Sequence, residues 1–202
     1  MNRRSLLLRT LTLGATDAAL STVLEAQQAG MSMTGESAAK PPTDPEPQVN
    51  DIEKFPKCKY CGMDRKRFHH SRMLLHYLDG SAEGVCSLRC AATSLTLYVG
   101  RGTKALWVGD NASSAEIKPL ADAEKAFYLI GSSLPGVMTR RSKVAYSTQE
   151  AADASKAANG GEIVDFDKAL LAAYTDIAES VTRVRQTREE RIKRMQTEKK
   201  DK

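Results

Sequence analysis

Four cysteines stand in two tight pairs, Cys58-Lys-Tyr-Cys61 and Cys86-Ser-Leu-Arg-Cys90, and the chain has no other. The first pair runs straight into Gly62-Met63. Thiolates beside a thioether are the ligands that soft metals prefer, Cu(I) above all. The candidate ligands are therefore Cys58, Cys61, Met63, Cys86 and Cys90. Other chemistries use the same residues. Four thiolates make a tetrahedral zinc site that merely holds a fold together, and in an oxidising compartment the pairs form two disulfides, or one disulfide and a free pair. Met63 speaks for copper, because a structural zinc site has no use for a thioether, although methionine also serves as core filler.

These side chains need elements to position them. Cys58 and Cys61 fall on a turn, where two intervening residues let both thiols face one ion. The run Arg72-Met-Leu-Leu-His-Tyr-Leu-Asp79-Gly80 predicts a strand closing in an Asp-Gly turn, with a return strand through Gly84-Val85-Cys86. Ser87 is placed to cap a helix over 88 to about 99, stopped by Gly100 and Gly102. Cys90 then lies in the first helical turn, where the helix amino terminus favours thiolate over thiol. A knuckle, a hairpin and a cysteine pair at a helix start form a treble-clef-like arrangement. Lys104-Ala-Leu-Trp-Val supplies the next strand.

The order then recurs. Residues 126–131 and 142–146 read as strands, Ser147-Thr-Gln-Glu150 as a capping box opening a helix over 151–158, and Asn159-Gly-Gly161 as its stop. Glu162-Ile-Val-Asp-Phe leads into a last helix from about Asp167. Val85-Cys-Ser-Leu-Arg-Cys-Ala-Ala92 aligns with Ala145-Tyr-Ser-Thr-Gln-Glu-Ala-Ala152 at the serine and both alanines. The expected fold class is α+β, with duplicated strand–strand–helix–strand units at about 52–110 and 123–175, of which only the first carries cysteines.

The ends of the chain read differently. Met1-Asn-Arg-Arg-Ser-Leu-Leu-Leu and the apolar run after it resemble a twin-arginine export signal over residues 1–29, which predicts a periplasmic protein. No cysteine near it offers a site for lipid attachment. Residues 30–51, with four clustered prolines, read as a disordered linker, and the metal-binding domain as 52–178. Residues 179–202 form a basic charged helix or tail with Glu189 and Glu190 spaced to pair with Lys193 and Arg194. A solvated helix is the plain expectation there; peripheral contact with an anionic membrane is the sharper one.

The formal charge is +5. The excess sits in Arg3-Arg4, in Arg65-Lys66-Arg67 and in the tail, not on one aromatic-studded face, so a nucleic-acid partner is not expected. His76 is expected to face solvent, His69-His70 to lie in a wet loop, and Met73 to join the core. Met138 could close over the metal from the second unit. No Ser/His/Asp set or His-Glu-x-x-His is present, so no enzyme is expected. Dithiol exchange at Cys58-x-x-Cys61 lacks the usual strand–helix setting.

Cys61-Gly62-Met63, the Asp79-Gly80 hairpin and Cys86-Ser87-x-x-Cys90 resemble the heavy-metal trafficking and sensing motif called TRASH. Gly131-Ser-x-Leu-Pro-Gly-x-Met138-Thr, Lys143-Val-Ala-Tyr-Ser and Asn159-Gly-Gly-Glu-Ile-Val-Asp-Phe resemble the second half of NosL, the nitrous oxide reductase accessory protein. The resemblance covers roughly 55–174. It implies a duplicated fold related to organomercurial lyase and a periplasmic Cu(I) metallochaperone with Cys61 and Met63 as copper ligands. It also implies a copper-receiving enzyme as partner, with a membrane transporter complex beside it. The chain departs from the family's pattern in lacking a lipoprotein cysteine and in its long basic tail. Zn2+ stays open as the alternative metal, in an interaction module with no transport role, and a thiol oxidoreductase or lyase-like enzyme is the third reading.

Overall fold

The computed structural model describes residues 43–200, with side chains through 197. The expected export signal and the first part of the linker lie outside the described residues.

β1 (Met73–Tyr77) and β2 (Ala82–Val85) form the expected hairpin, with Met73 opposite Val85 and His76 opposite Ala82. The turn closes with Gly80 at φ +79, a left-handed conformation that glycine adopts without strain. A helix, α2 (Leu88–Leu97), follows at once, and β3 (Thr103–Gly109) returns antiparallel on the other edge of β1. β4 (Leu120–Asp122), which the sequence reading missed, extends this sheet to the order β2-β1-β3-β4.

The second unit repeats the plan. β5 (Phe127–Ile130) pairs with β6 (Lys143–Tyr146), helix α3 (Gln149–Asn159) follows, and β7 (Glu162–Val164) lies on the other side of β5. The order β6-β5-β7 matches β2-β1-β3, so the molecule is α+β with two antiparallel strand–strand–helix–strand units. The capping box is shifted by one residue. Thr148, not Ser147, is the N-cap and accepts from the Ala151 amide, while the Ser147 hydroxyl donates to Asp110 at 2.6 Å.

The last helix, α4 (Phe166–Lys200), ties the units together. Its Phe166, Ala169 and Ala173 share one apolar cluster with Met73, Leu75 and Tyr77 of β1 and Tyr128 of β5. Met73 is in the core, as its strand position predicts. The helix runs antiparallel to α2: Phe166 and Leu170 share a cavity with Leu95 and Tyr98, and the Tyr174 hydroxyl then donates to the Ala92 carbonyl.

Part of the expected linker is packed. Thr43 bridges Ser81, the Asp44 amide donates to the Gly80 carbonyl, and Pro47 is buried. A short helix, α1 (Asp51–Lys54), follows, with Asp51 itself buried. Proline-rich composition signals disorder only where no folded surface waits to receive the segment. Here the hairpin has a second apolar face to cover: Leu74 and Gly84 are opposite one another, and a Cβ on Gly84 would come within 2.4 Å of the Phe55 Cβ.

Candidate metal centre

The first cysteine pair sits on a tight knuckle held by its own backbone. The Cys58 amide donates to the Met63 carbonyl at 2.8 Å, and the Gly62 amide donates to the Cys58 carbonyl at 2.9 Å. Gly62 has φ +73, so the turn requires glycine there. The knuckle is fastened to β2 by the Lys59 amide, which donates to the Gly84 carbonyl, and by Lys59 and Tyr60, whose side chains both bind the buried Glu83 carboxylate.

Behind the knuckle lies Arg65, with 0% of its surface exposed. Its guanidinium donates to the Asp51 carboxylate at 2.7 Å and to the carbonyls of Asp51, Phe55, Met73 and Val85. Arg72 binds the same carboxylate. In the sequence Arg65 is the first of three consecutive basic residues; in the structure it is the pin joining α1, the knuckle and both hairpin strands. No local sequence signal separates it from exposed Lys66 and Arg67, because its acceptors come from distant segments. Glu83 was missed for the same reason: it also takes a hydrogen bond from Ser94.

The second pair comes from the strand-to-helix turn. Cys86 directly follows β2, and Cys90 lies in the first turn of α2. Ser87 occupies the N-cap position as expected, yet its hydroxyl makes no capping bond; it lies 3.7 Å from the Cys86 sulfur.

These two pieces bring all four thiols together. The Sγ atoms of Cys58, Cys61, Cys86 and Cys90 lie within 4.8 Å of one another. Cys61 to Cys86 is 3.4 Å, Cys86 to Cys90 is 3.8 Å and Cys90 to Cys61 is 3.9 Å. All four are free thiols, so the geometry is that of a cluster and not of the disulfides weighed above. A tetrahedron of sulfurs about 2.3 Å from a central ion has edges of about 3.8 Å, so the donor set fits a soft or borderline cation.

The electrostatics fit the same conclusion. Hydrogen bonds from Cys86 and Cys90 pull the Cys58 thiol well below the ordinary thiol range. The reciprocal bond to Cys58 pushes Cys86 up to about 12, and bonds to Cys58 and Cys86, with burial, raise Cys90, so the thiolate expected at the helix start falls on Cys58 instead. One thiolate, at Cys58, is stable beside protonated Cys86 and Cys90, but several together repel one another. A bound cation removes that penalty.

Access is one-sided. Cys58, Cys86 and Cys90 are buried, whereas Cys61 and Met63 are half-buried beside exposed Gly62. Met63 packs against the edge of the core cluster that includes the cysteines.

The remaining sequence candidates fall outside the cluster. His69 accepts a hydrogen bond from the Lys118 amide through Nδ1, and the His70 carbonyl accepts one from Asn111. His76 does not face solvent: it is 2% exposed and stacks on Trp107, with Nε2 finding no partner among the described residues. Both faces of β1 are covered, which the alternation of its sequence did not reveal. Met138 has φ +63 and lines a cavity of about 390 Å³ with Arg140, Arg141, Asp176 and Arg183, a lining that contains no cysteine.

A family model, NosL, matches residues 48–171. Among solved structures, the chain is similar to the crystal structure of the copper chaperone NosL from Shewanella denitrificans. That match is 27% identical, covers 55% of this chain and 87% of that one, and has a TM-score of 0.48. It is also similar to the solution NMR structure of the apo-NosL protein from Achromobacter cycloclastes, at 21% identity over 46% of this chain and 82% of that one, with a TM-score of 0.33. No curated protein matches.

Proposed function

Because the chain belongs to the NosL family, we propose that it is an exported Cu(I) metallochaperone that delivers copper by ligand exchange to nitrous oxide reductase or a related copper enzyme. The family is one of copper chaperones, not enzymes. The observation that carries the reading is the four-sulfur cluster in which Cys61 is half-buried and the other three thiols are buried, with half-buried Met63 two residues further on. Copper is the cargo here. Buried Cys58, Cys86 and Cys90 retain it, while a thiolate or thioether of the receiving protein approaches from the half-buried side and displaces Cys61 or Met63 first. No electron moves; one metal–sulfur bond forms as another breaks, and the copper stays Cu(I) throughout. The periplasm is the proposed site of action, on the strength of the twin-arginine-type start of the sequence.

Sulfur spacings of 3.4–3.9 Å favour a second reading, a zinc-stabilised module with no transport role, since four thiolates complete a closed structural zinc shell. Met63 separates the two. In the chaperone, Met63→Ala weakens Cu(I) binding, read by competition with a chelator, while the thermal transition is unchanged. Unchanged copper affinity in Met63→Ala would leave Met63 as packing and favour the zinc module.

A further inference from the structure

Beyond about residue 180, α4 leaves the body that buries its first half. It leaves at the cysteine end of the molecule. Asp176 pairs with Lys143, which shares a small cleft with Ser87, Leu88 and Arg89 at the start of α2. From there residues 181–197 project as an exposed helix about 25 Å long.

The exposed part is not polar all round. At 3.6 residues per turn, Val181, Val184, Ile192 and Met195 fall on one arc of about 80°. They are 53%, 67%, 39% and 47% exposed, so nothing among the described residues covers them. Arg188 lies inside the same arc, and widening it to about 120° adds only Arg185 and Arg191 among residues 181–197. Glu189 and Glu190 lie outside it.

This pattern decides between occupants. A second copy of the helix laid along the stripe would bring arginine against arginine at its centre, which repels. An anionic lipid surface meets both halves of the pattern: apolar side chains reach the acyl boundary, and arginines keep their guanidinium groups at headgroup level. No helix among the described residues is long and apolar enough to cross a membrane, so the mode is lying on the surface. We infer that residues 181–197 form a membrane-surface anchor that seats this stripe among anionic phospholipid headgroups. The inference does not depend on copper.

Co-sedimentation of the full chain with vesicles of phosphatidylglycerol and phosphatidylcholine tests it, with phosphatidylcholine vesicles alone as the control. Binding should require phosphatidylglycerol and weaken with salt. Each basic residue near such a surface contributes about fivefold in affinity, so R185E/R188E should bind at least tenfold more weakly. I192E should also bind more weakly, whereas K193E/R194E, equal in charge but off the stripe, should lose less. Equal losses in the two charge-reversed pairs would overturn the inference, since net charge and not the stripe would then carry the binding. Unchanged binding in all variants would place any affinity elsewhere in the chain and overturn it too. A lipid-free dimer, seen by sedimentation velocity and abolished by I192E, would assign the stripe to self-association instead.

Discussion

The two units share a plan and differ at one junction. In the first, β2 passes into α2 through Cys86-Ser87-Leu-Arg-Cys90; in the second, β6 passes into α3 through Tyr146-Ser147-Thr-Gln-Glu150. The second junction is held by ordinary means. Tyr146 packs with Leu129, Val144 and Ala152 and donates to Ser155, Ser147 binds Asp110, and Thr148 caps the helix. The first lacks a side-chain cap and spends its equivalent positions on thiols that meet the Cys58–Cys61 knuckle. The metal site is a set of side chains placed on a turn that the second unit builds with packing and hydrogen bonds alone.

The largest break in this comparison should come from Arg65→Ala, which strands the buried Asp51 carboxylate and frees the knuckle from the hairpin. Removing one partner of a buried charge pair costs roughly 3–5 kcal/mol. Urea unfolding should show that loss, and a loss below about 1 kcal/mol would mean the guanidinium does not hold the first unit together.

Next in size, Cys90→Ser should lower Cu(I) affinity by at least about a hundredfold, because it removes a ligand itself and losing even a ligand's outer partner costs up to about that much. Glu150→Ala, at the matching place in the second unit, should leave it unchanged. Chelator competition on both variants measures the contrast. Equal effects would erase the distinction between the junctions.

The thiol chemistry adds a pH dependence. Cys86 is pushed up to about 12, so near neutrality it carries a proton that a metal must displace. Affinity should therefore rise with pH, by about tenfold per unit for each thiol that gives up its proton. A flat profile between pH 6 and 8 would contradict this. The smallest contrast concerns the two helix starts: Thr148→Ala should cost about 1 kcal/mol as a lost cap, whereas Ser87→Ala, with no capping bond to lose, should cost less in the same thermal measurement.

The sequence revealed the topology better than the packing. Both hairpins, both strand-to-helix turns and the second-sheet edge strand follow from local signals: Asp79-Gly80, Ser87, and Asn159-Gly-Gly161. The cysteine spacing placed Cys58 and Cys61 on a turn of their own and Cys86 and Cys90 at the strand-to-helix junction, where the structure brings the four thiols together. What stayed hidden depends on contacts from afar. Pro47 and Asp51 look like linker until the hairpin's second face is there to bury them. His76 looks solvent-facing by alternation until Trp107 stacks on it, and Arg65 looks like one cation in a row until five acceptors from distant segments converge on it. The one-residue shift from Ser147 to Thr148 has the same origin, because Asp110 takes the serine hydroxyl.

The central claim is that this cluster carries Cu(I) as cargo, and one measurement bears on it most directly. Protein purified without oxygen is assayed for metal and free thiols, then titrated with Cu(I) against a calibrated chelator, with Cys61→Ser and Met63→Ala in parallel. The account predicts one tightly bound Cu(I) per chain, weakened by both substitutions and released to a competing thiol ligand. One firmly held zinc that Cu(I) cannot displace, with affinity indifferent to Met63, would contradict it and leave the cysteines as scaffolding.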